Sequence, residues 1–320
     1  MQPSTILVTG GAGFIGSHLV KRLAREGHNV VIVDNFNDYY EPALKEARIN
    51  TFLKDVTFNV ERVDIADYDA LKNVFEKYAI DYISHQAAQA GVRYSIDAPL
   101  VYGQSNLIGT LNILQLAREF EVRGITLASS SSVYGDAQTF PLKESHMSDE
   151  PISLYAATKR STELLAHAYH HLYNIPITCL RYFTVYGPWG RPDMAIFKFT
   201  KAALEGTPID IYGHGEMGRD FTYIDDIIDG ITRAIEKNPA WEIINLGCGK
   251  PERLMNFISS IETHTNKTIE KNMLPMQPGD VKETWADISH AQDVLGWNPV
   301  TRLDEGIKQF VNWYENGYQA

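Results

Sequence analysis

A tyrosine and a lysine four residues apart, Tyr155 and Lys159, can form a proton-transfer pair in this chain of 320 residues. A spacing of four puts both side chains on one face of a helix. A nearby ammonium group and the positively charged ring of a bound molecule both favour phenolate, so together they are expected to lower the pKa of Tyr155 from about 10 towards neutrality. A tyrosine with such a pKa suits a general base that acts on a hydroxyl group.

The spacing alone does not single out this pair, because Tyr68 and Lys72 repeat it. Tyr155, however, lies 25 residues after Ser130, which belongs to the serine run 129–132. The run follows a predicted strand, and open α/β sheets bind ligands at the carboxyl ends of their strands. We therefore interpret Ser130 and the first pair as a catalytic group and the second pair as surface residues. A solvated serine loop is the alternative.

Short β-branched segments alternate with longer amphipathic ones in the first half of the chain. This alternation predicts a Rossmann-like α/β fold, in which helices cover both faces of a doubly wound parallel sheet. The predicted strands are Thr5–Thr9, Asn29–Val33, Val56–Val60, Tyr82–His85, Gly124–Ser129 and Pro176–Arg181. The predicted helices are Phe14–Glu26, Tyr68–Tyr78, Gly103–Phe120 and Leu154–Tyr173.

The composition changes after Arg181, where prolines and glycines cluster in 187–192 and glycines in 213–218. We predict a cofactor-binding Rossmann domain over 1–182 and a smaller C-terminal α/β substrate lobe over 183–320. A further apolar strand is predicted at Glu242–Leu246, so later elements near 222–247 are expected to return to the first domain.

A glycine-rich segment over 10–16 lies between the first predicted strand and the first predicted helix. Its glycines permit a tight turn, close approach to a pyrophosphate and close packing of helix on strand. The amide groups of the helix N-terminus then face the phosphates. The residues of this segment predicted to contact a dinucleotide are Gly10, Gly13, Phe14, Ile15 and Gly16.

Asp34 ends the second predicted strand, 18 residues after Gly16. A carboxylate there accepts hydrogen bonds from both ribose hydroxyls and repels a 2′-phosphate. The neighbours Asn35 and Phe36 offer no compensating cation, so NAD is predicted rather than NADP. Asp64, just past the third strand, is placed to meet the adenine edge. Capping of a helix over 66–78 is an equal and compatible interpretation of Asp64.

Composition limits the other function classes. The formal net charge of −11 argues against a nucleic-acid or acidic-membrane surface. No apolar run approaches the roughly 20 residues of a membrane helix.

The N-terminus lacks a signal-peptide pattern, and Cys179 and Cys248 form no disulfide framework. We therefore expect a cytoplasmic protein. His167 and His171 lack a third ligand, so no metal site is predicted.

Several of these motifs together resemble the nucleotide-sugar epimerases and dehydratases of the NAD-dependent epimerase/dehydratase family, which are extended short-chain dehydrogenases. The resemblance runs from about Thr5 to about Tyr314. The motifs that carry it are the glycine segment 10–16, Asn106 in 105–110, the serine run 129–132, Tyr155-Ala156-Ala157-Thr158-Lys159 and Arg181-Tyr182-Phe183.

Three further stretches are similar to UDP-glucuronate 4-epimerases: Ala87–Ser95, Phe183–Met194 and Gly218–Tyr223. The resemblance implies that Tyr155 takes the O4 proton of a UDP-sugar while C4 gives a hydride to tightly bound NAD⁺. The transient 4-keto sugar then turns over and receives the hydride on its opposite face. UDP-glucuronate and UDP-galacturonate are the expected pair.

The resemblance also implies a set of contacts. The further residues expected at NAD are Asn35, Asp64, Ile65, Gln86, Ala87, Ala88, Gln89, Asn106, Tyr155, Lys159 and Tyr182. The residues expected at the substrate are Arg93, Ser130, Ser131, Ser132, Tyr155, Thr184, Arg191, Ile211, Tyr212, Arg219 and Asp280. Among these, Ser131, Ser132 and Thr184 would bind the sugar carboxylate, and Arg219 would pair with the diphosphate.

Some features of related enzymes are absent from the chain. Related dehydratases carry Asp-Glu after the catalytic Ser/Thr and related decarboxylases carry Glu, whereas this chain has Ser131 and Ser132. Thr184 stands where UDP-glucose epimerases usually carry Asn, and Gln277 stands where some relatives hold the diphosphate with Arg. A UDP-glucose or UDP-N-acetylglucosamine 4-epimerase, a UDP-glucuronate decarboxylase and a non-catalytic NAD-binding scaffold remain the alternatives.

The predicted helical stretches 100–120 and 154–173 have apolar faces. In relatives the corresponding helices form a four-helix dimer interface, so the resemblance implies a homodimer.

Overall fold

The computed structural model describes residues 1–276 and 283–318. The strands of these ranges are β1 (Thr5–Thr9), β2 (Asn29–Val33), β3 (Asn59–Glu61), β4 (Tyr82–His85), β5 (Gly124–Ser130), β6 (Ile177–Tyr182), β7 (Thr184–Tyr186), β8 (Ile209–Ile211), β9 (Gly218–Arg219), β10 (Phe221–Tyr223), β11 (Trp241–Leu246), β12 (Glu252–Arg253) and β13 (Lys271–Met273).

The α-helices of the same ranges are α1 (Phe14–Arg25), α2 (Pro42–Ala47), α3 (Tyr68–Lys77), α4 (Tyr94–Asp97), α5 (Pro99–Tyr102), α6 (Gly109–Glu119), α7 (Leu154–Tyr173), α8 (Ala195–Glu205), α9 (Ile224–Lys237), α10 (Leu254–Thr265), α11 (Ser289–Leu295) and α12 (Leu303–Asn316). None of the helices in the described part of the chain has both the length and the apolar character needed to cross a membrane.

A seven-stranded sheet organises the molecule, in the order β11-β6-β5-β4-β1-β2-β3. All of its neighbouring strands run parallel. Side chains alternate between its faces, so Ile6 and Val8 pack into one buried cluster and Leu7 into another. Burial on both faces explains why a strand such as β2 is apolar from Val30 to Val33 without alternation. The predicted Rossmann-like α/β fold is thus confirmed.

The third strand differs from its prediction at Val56–Val60. Residues 48–52 form a π-helical turn, and the Val56 amide then donates to the Leu53 carbonyl at 3.1 Å, which keeps 53–56 in a turn. The strand therefore begins only at Asn59, and Val60 pairs with Ile32 of β2. The first, second and fourth strands occur at the predicted residues.

The predicted helix Gly103–Phe120 contains two conformations. Gly103–Ile108 form a π-helical turn and Gly109–Glu119 continue as α6. Such wide turns often occur beside functional sites. Here the turn carries Asn106, whose side chain is buried towards α7.

The second half of the chain supplies three two-stranded pairings, β7 with β10, β9 with β12, and β8 with β13. β11 returns to the large sheet, where Ile244 lies opposite Leu180 of β6. Phe257, Trp297 and Phe310, all fully buried, belong to the cluster that joins these pairings to the large sheet. The division into two lobes at residue 182 stays a prediction.

Candidate active site

A cleft of about 500 Å³ opens at the carboxyl ends of the strands in the large sheet. Of the residues predicted from the sequence, it is lined by Gly10, Gly13, Phe14, Ile15, Gly16, Asp34, Asn35, Asp64, Ile65, Gln86, Ala87, Ala88, Gln89, Ser130, Ser131, Ser132, Tyr155, Lys159, Tyr182, Thr184, Arg191 and Arg219. The fold therefore gathers side chains from both halves of the chain around one opening.

The glycine segment turns sharply between β1 and α1. Gly10 has a φ of +68°, and the Gly13 amide donates to the Gly10 carbonyl at 2.9 Å. A Cβ on Gly16 would lie 2.1 Å from the Gly10 oxygen, so a side chain has no room there. The turn leaves the N-terminus of α1 at the cleft, an arrangement that fits a pyrophosphate group. These features fit a dinucleotide.

Asp34 follows β2 and is held at the cleft by the glycine segment. Its carboxylate accepts from the amides of Ala12 at 3.1 Å and Phe36 at 2.8 Å. The fold also supplies a cation that its sequence neighbours lack. Lys45 Nζ lies 3.9 Å from Asp34 Oδ1 and donates to Asn37 Oδ1 at 2.8 Å.

Asp64 also lines the cleft, where its Oδ2 accepts from the Asn35 side chain at 2.9 Å. The alternative interpretation, that Asp64 caps the helix after β3, is wrong. Asp67 caps α3, because its side chain accepts from the Ala70 amide at 3.0 Å. Asp64 Oδ1 accepts only the local amide of Ala66 at 2.9 Å, a bond that belongs to the turn before the helix.

Asn106 lies behind the cleft wall instead of on it. Its amide group donates to the Gln89 carbonyl at 3.1 Å and to Thr158 Oγ1 at 3.0 Å, and its oxygen accepts from the Gln89 amide at 2.8 Å. Asn106 thus links the 86–89 segment to α7. On the other side, Tyr182 donates to Gln86 Oε1 at 2.9 Å.

Ser130, Tyr155 and Lys159 all line the cleft. Tyr155 lies in the first turn of α7, which Ser153 caps through the Ala156 amide at 3.1 Å. The Ser130 side chain, at the end of β5, lies close enough to the Tyr155 hydroxyl to favour its phenolate form. Lys159 is buried, and its Nζ donates to the Ala128 carbonyl at 2.6 Å. This arrangement suits proton transfer to or from a bound hydroxyl.

The Lys159 ammonium by itself does not lower the pKa of Tyr155, and the lowering predicted for the ammonium and a bound nicotinamide ring together stays a prediction. Burial raises the pKa of Tyr155 above its ordinary value, and the Ser130 side chain and the Arg191 charge oppose this only in part. Burial also lowers the pKa of Lys159 to about 8. Desolvation disfavours the charged form of both groups, so the pair by itself does not produce a phenolate.

Hydroxyl groups cluster beside this pair. The backbone amide and the side chain of Ser132 both donate to Ser130 Oγ, at 3.2 and 3.0 Å. Ser131 and Thr184 line the same part of the cleft. Thr184 lies at the start of β7, where its amide donates to the Asp220 carbonyl at 3.0 Å. These neutral donors could bind a carboxylate without placing an acid beside it.

Two guanidinium groups reach the cleft from the second half of the chain. Arg191 pairs with Asp193 through Nε at 2.9 Å and through Nη2, and its charge acts on Tyr155. Arg219 lies in β9 and donates to the Gly218 carbonyl at 2.9 Å. Arginine at such positions suits a diphosphate.

Three predicted substrate residues do not line this cleft. Ile211 is fully buried in the hydrophobic core, and its backbone carbonyl accepts from the Leu274 amide at 2.8 Å. Arg93 and Tyr212 lie together, with the guanidinium carbon 5.3 Å from the ring centroid. Asp280 and Gln277 lie outside the described residues.

Several residues on the cleft wall were not predicted. They are Tyr39, Tyr40, Lys45, Gly91, Val92, Ile152, Ser153, Glu283 and Thr284, among others. The adjacent tyrosines Tyr39 and Tyr40 come soon after β2, which was a usable signal, since they follow the strand that carries Asp34. No spacing rule indicates Lys45 or Glu283, which reach the cleft through the tertiary fold.

The chain matches known proteins along almost its whole length. Residues 6–247 match the family described as the NAD dependent epimerase/dehydratase family. A UDP-glucuronate 4-epimerase of Thermodesulfobacterium geofontis is 48% identical over 308 residues, which cover 96% of this chain and 95% of that protein.

Solved structures agree in fold. The UDP-glucuronic acid 4-epimerase of Bacillus cereus, in complex with UDP-glucuronic acid and NAD, is 38% identical with a TM-score of 0.92, covering 98% of this chain and 100% of that one. The structure of a UDP-glucose 4-epimerase of Thermotoga maritima with UDP-glucose is 31% identical in sequence, with a TM-score of 0.89. The match covers 97% of this chain and 98% of that one. The chain belongs to the NAD-dependent epimerase/dehydratase family.

Proposed function

We propose that the protein is an NAD-dependent UDP-sugar 4-epimerase that interconverts UDP-glucuronate and UDP-galacturonate. The observation that carries the proposal is that one cleft brings Ser130, Tyr155 and Lys159 together with the glycine segment, Thr184 and Arg219. Relatives that match almost the whole chain are UDP-glucuronate 4-epimerases, which supports the same reaction.

The catalytic group performs the proton transfers. Tyr155 takes the proton of the sugar 4-hydroxyl, and Ser130 hydrogen-bonds the same oxygens and keeps them aligned. Bound NAD⁺ would supply the acceptor and donor of the C4 hydride, and the positive charge of its nicotinamide ring would favour the phenolate that burial opposes. Tyr155 returns the proton after the 4-keto sugar has presented the opposite face of C4. The reaction therefore has no net redox change.

The chain's own residues fit the cofactor at both ends. Gly10, Gly13 and Gly16 would hold the pyrophosphate on the N-terminus of α1. Asp34 would accept hydrogen bonds from the ribose hydroxyls, and its carboxylate would disfavour a 2′-phosphate even though Lys45 lies beside it.

A uronate substrate requires protection, because its 4-keto form is a β-keto acid that loses carbon dioxide easily. We infer that the hydroxyls of Ser131, Ser132 and Thr184 hold the carboxylate away from the alignment that decarboxylation needs. They also supply no acid to C5, unlike the glutamate of related decarboxylases. UDP-pentose formed in quantity by the wild-type enzyme would contradict this role.

The substrate is tested by incubating purified protein separately with UDP-glucuronate, UDP-glucose and UDP-N-acetylglucosamine and resolving the products by NMR. We expect conversion of UDP-glucuronate to UDP-galacturonate with no added reductant. Conversion of the neutral sugars alone would show that the hydroxyl cluster does not select a carboxylate. That outcome would assign the protein to the UDP-hexose epimerases of the same family.

We further propose a homodimer formed through the α5–α7 surface. Large apolar side chains are exposed on it: Leu100 is 86% exposed, Leu164 55% and Leu172 64%. Exposed apolar groups of this size on neighbouring helices are typical of an interface.

We also propose a cytoplasmic location, which the two free cysteines, Cys179 and Cys248, support.

The dimer is tested by light scattering at micromolar concentration. For the wild type we expect a mass of two chains, each of 36.1 kDa. For the double variant Leu100→Glu/Leu164→Glu we expect the mass of one chain. A buried carboxylate in an apolar interface is unfavourable, so two per chain should separate the subunits. Val300, 81% exposed and distant in sequence from these helices, gives the control Val300→Glu, which should remain dimeric. A monomeric wild type would refute the proposal.

A further inference from the structure

A buried ion pair behind the catalytic group connects α7 to the large sheet. Glu163 and Arg181 are each 1% exposed. Arg181 donates through Nε to Glu163 Oε1 and through Nη2 to Glu163 Oε2, both at 2.8 Å. Burying two charges carries a large desolvation cost, so the pair is a weak source of stability and needs another explanation.

The Glu163 carboxylate also binds the strand that carries the catalytic serine. Ser129 Oγ donates to Glu163 Oε1 at 2.6 Å, and Arg160 Nη1 donates to Oε2 at 3.0 Å. Ser129 directly precedes Ser130, so the carboxylate fixes the end of β5 against α7. The same helix carries the catalytic tyrosine and lysine.

Arg181 extends this connection to the turn that follows the serine run. It lies opposite Ser129 in the β5–β6 register. Its guanidinium carbon is 4.7 Å from the ring centroid of Tyr134, which ends the turn Ser131–Tyr134. The ion pair therefore contacts the helix, the strand end and the turn that together form the catalytic group.

Glu163 also supplies a negative charge that faces Lys159, one helical turn earlier. The other titratable groups that face Lys159 are His85 on β4 and Cys179 on β6. Tyr155 lies about one helical turn before Lys159 on α7. Burial and the Lys159 charge lower the pKa of His85 to about 3, so the imidazole is neutral. Burial raises the pKa of the Cys179 thiol, which keeps it neutral as well. The Glu163 carboxylate opposes the lowering of the Lys159 pKa by burial.

We propose that Glu163 is a positioning residue for the reaction, whose carboxylate holds Lys159 in its charged form. Through Ser129 and Arg181 it also fixes the geometry between α7 and Ser130. The inference rests on the proposed epimerase function, because Lys159 matters only if the Tyr155 proton transfer occurs.

The test is the pH profile of kcat for Glu163→Gln, which keeps the side-chain shape and removes the charge. Removing a carboxylate lowers the pKa of Lys159, so the lysine loses its proton at lower pH. We expect the alkaline limb of kcat to move down by about one pH unit, the usual lower range for the loss of a nearby opposite charge. The KM for the UDP-sugar should change by less than about twofold, since the carboxylate does not face the cleft.

Two single variants separate charge from structure. Glu163→Asp keeps the charge but shortens the side chain, so kcat should fall while the alkaline limb stays where it is. Asp149→Asn also removes a carboxylate from an arginine, since Asp149 lies 3.1 Å from Arg160 and its side chain is 67% exposed. This exposed change should leave both kcat and the limb unaltered.

The double variant Glu163→Gln/Arg181→Gln removes both buried charges and decides the case if Glu163→Gln alone does not fold. If the alkaline limb of the kcat profile still lies at lower pH in the double variant than in the wild type, the result supports the action of Glu163 on Lys159. If the alkaline limb of kcat lies at the same pH as in the wild type, in Glu163→Gln or in the double variant, Glu163 serves only as the counterion of Arg181. A wild type without epimerase activity would instead refute the proposed function, before any variant is compared.

Discussion

Tyr155→Phe is expected to lower kcat by about 10³-fold, within the range of about 10²–10⁴ that a positioned general acid–base contributes. The change removes the hydroxyl that faces Ser130 in the cleft, while the ring keeps its edge-on contact with Tyr102 at 6.1 Å between centroids. Because the packing is retained, the fold and the cofactor should also be retained.

The measurement is the initial rate of UDP-galacturonate formation, with NAD content checked in the same preparation. The KM should change little, because the lost oxygen acts mainly in the transition state. Tyr68→Phe is the matched control, since Tyr68 repeats the spacing to a lysine but its hydroxyl donates to Glu119 at 2.8 Å on the surface. Full activity in Tyr155→Phe, or an equal loss in Tyr68→Phe, would overturn the catalytic assignment.

Local sequence predicted the parts of the site that lie at strand ends. The glycine segment, Asp34 and Ser130 each follow a β-branched run, and parallel strands bring their carboxyl ends to one edge of the sheet. Periodicity and turn chemistry are short-range signals, so they locate these residues well. They also placed Tyr155 and Lys159 together on α7, whose bounds match the prediction.

Contacts that depend on tertiary structure could not be predicted in this way. Lys45 reaches Asp34 only because the chain turns back through α2, and Glu163 meets Arg181 only when α7 packs on β6. Asn106 shows the same limit, because its motif indicated a functional residue but not that it acts from behind the wall. The burial that raises the Tyr155 pKa could not be predicted for a related reason, since burial is a property of the whole fold.

Gly16→Ala should abolish copurification of NAD and reduce kcat/KM by at least about 10²-fold, equivalent to ~2.7 kcal/mol of lost binding. The added Cβ would lie 2.1 Å from the Gly10 oxygen and 2.9 Å from the Gly11 Cα, both of which are backbone atoms. A flexible side chain could move aside, but here the turn itself must open. Opening it displaces the amides that face the pyrophosphate, so cofactor affinity is lost before the rest of the fold.

Bound NAD is measured by denaturing the purified protein and quantifying the released nucleotide, and circular dichroism verifies that the variant is folded. Gly103→Ala is the matched control, because a Cβ there meets no atom within 4 Å. It should retain a full complement of NAD. If Gly16→Ala also retained it, the 10–16 turn would not be the pyrophosphate site. The close approach of α1 to β1 would then serve packing alone, and the dinucleotide would have to be held from the Asp34 and Tyr155 sides of the cleft.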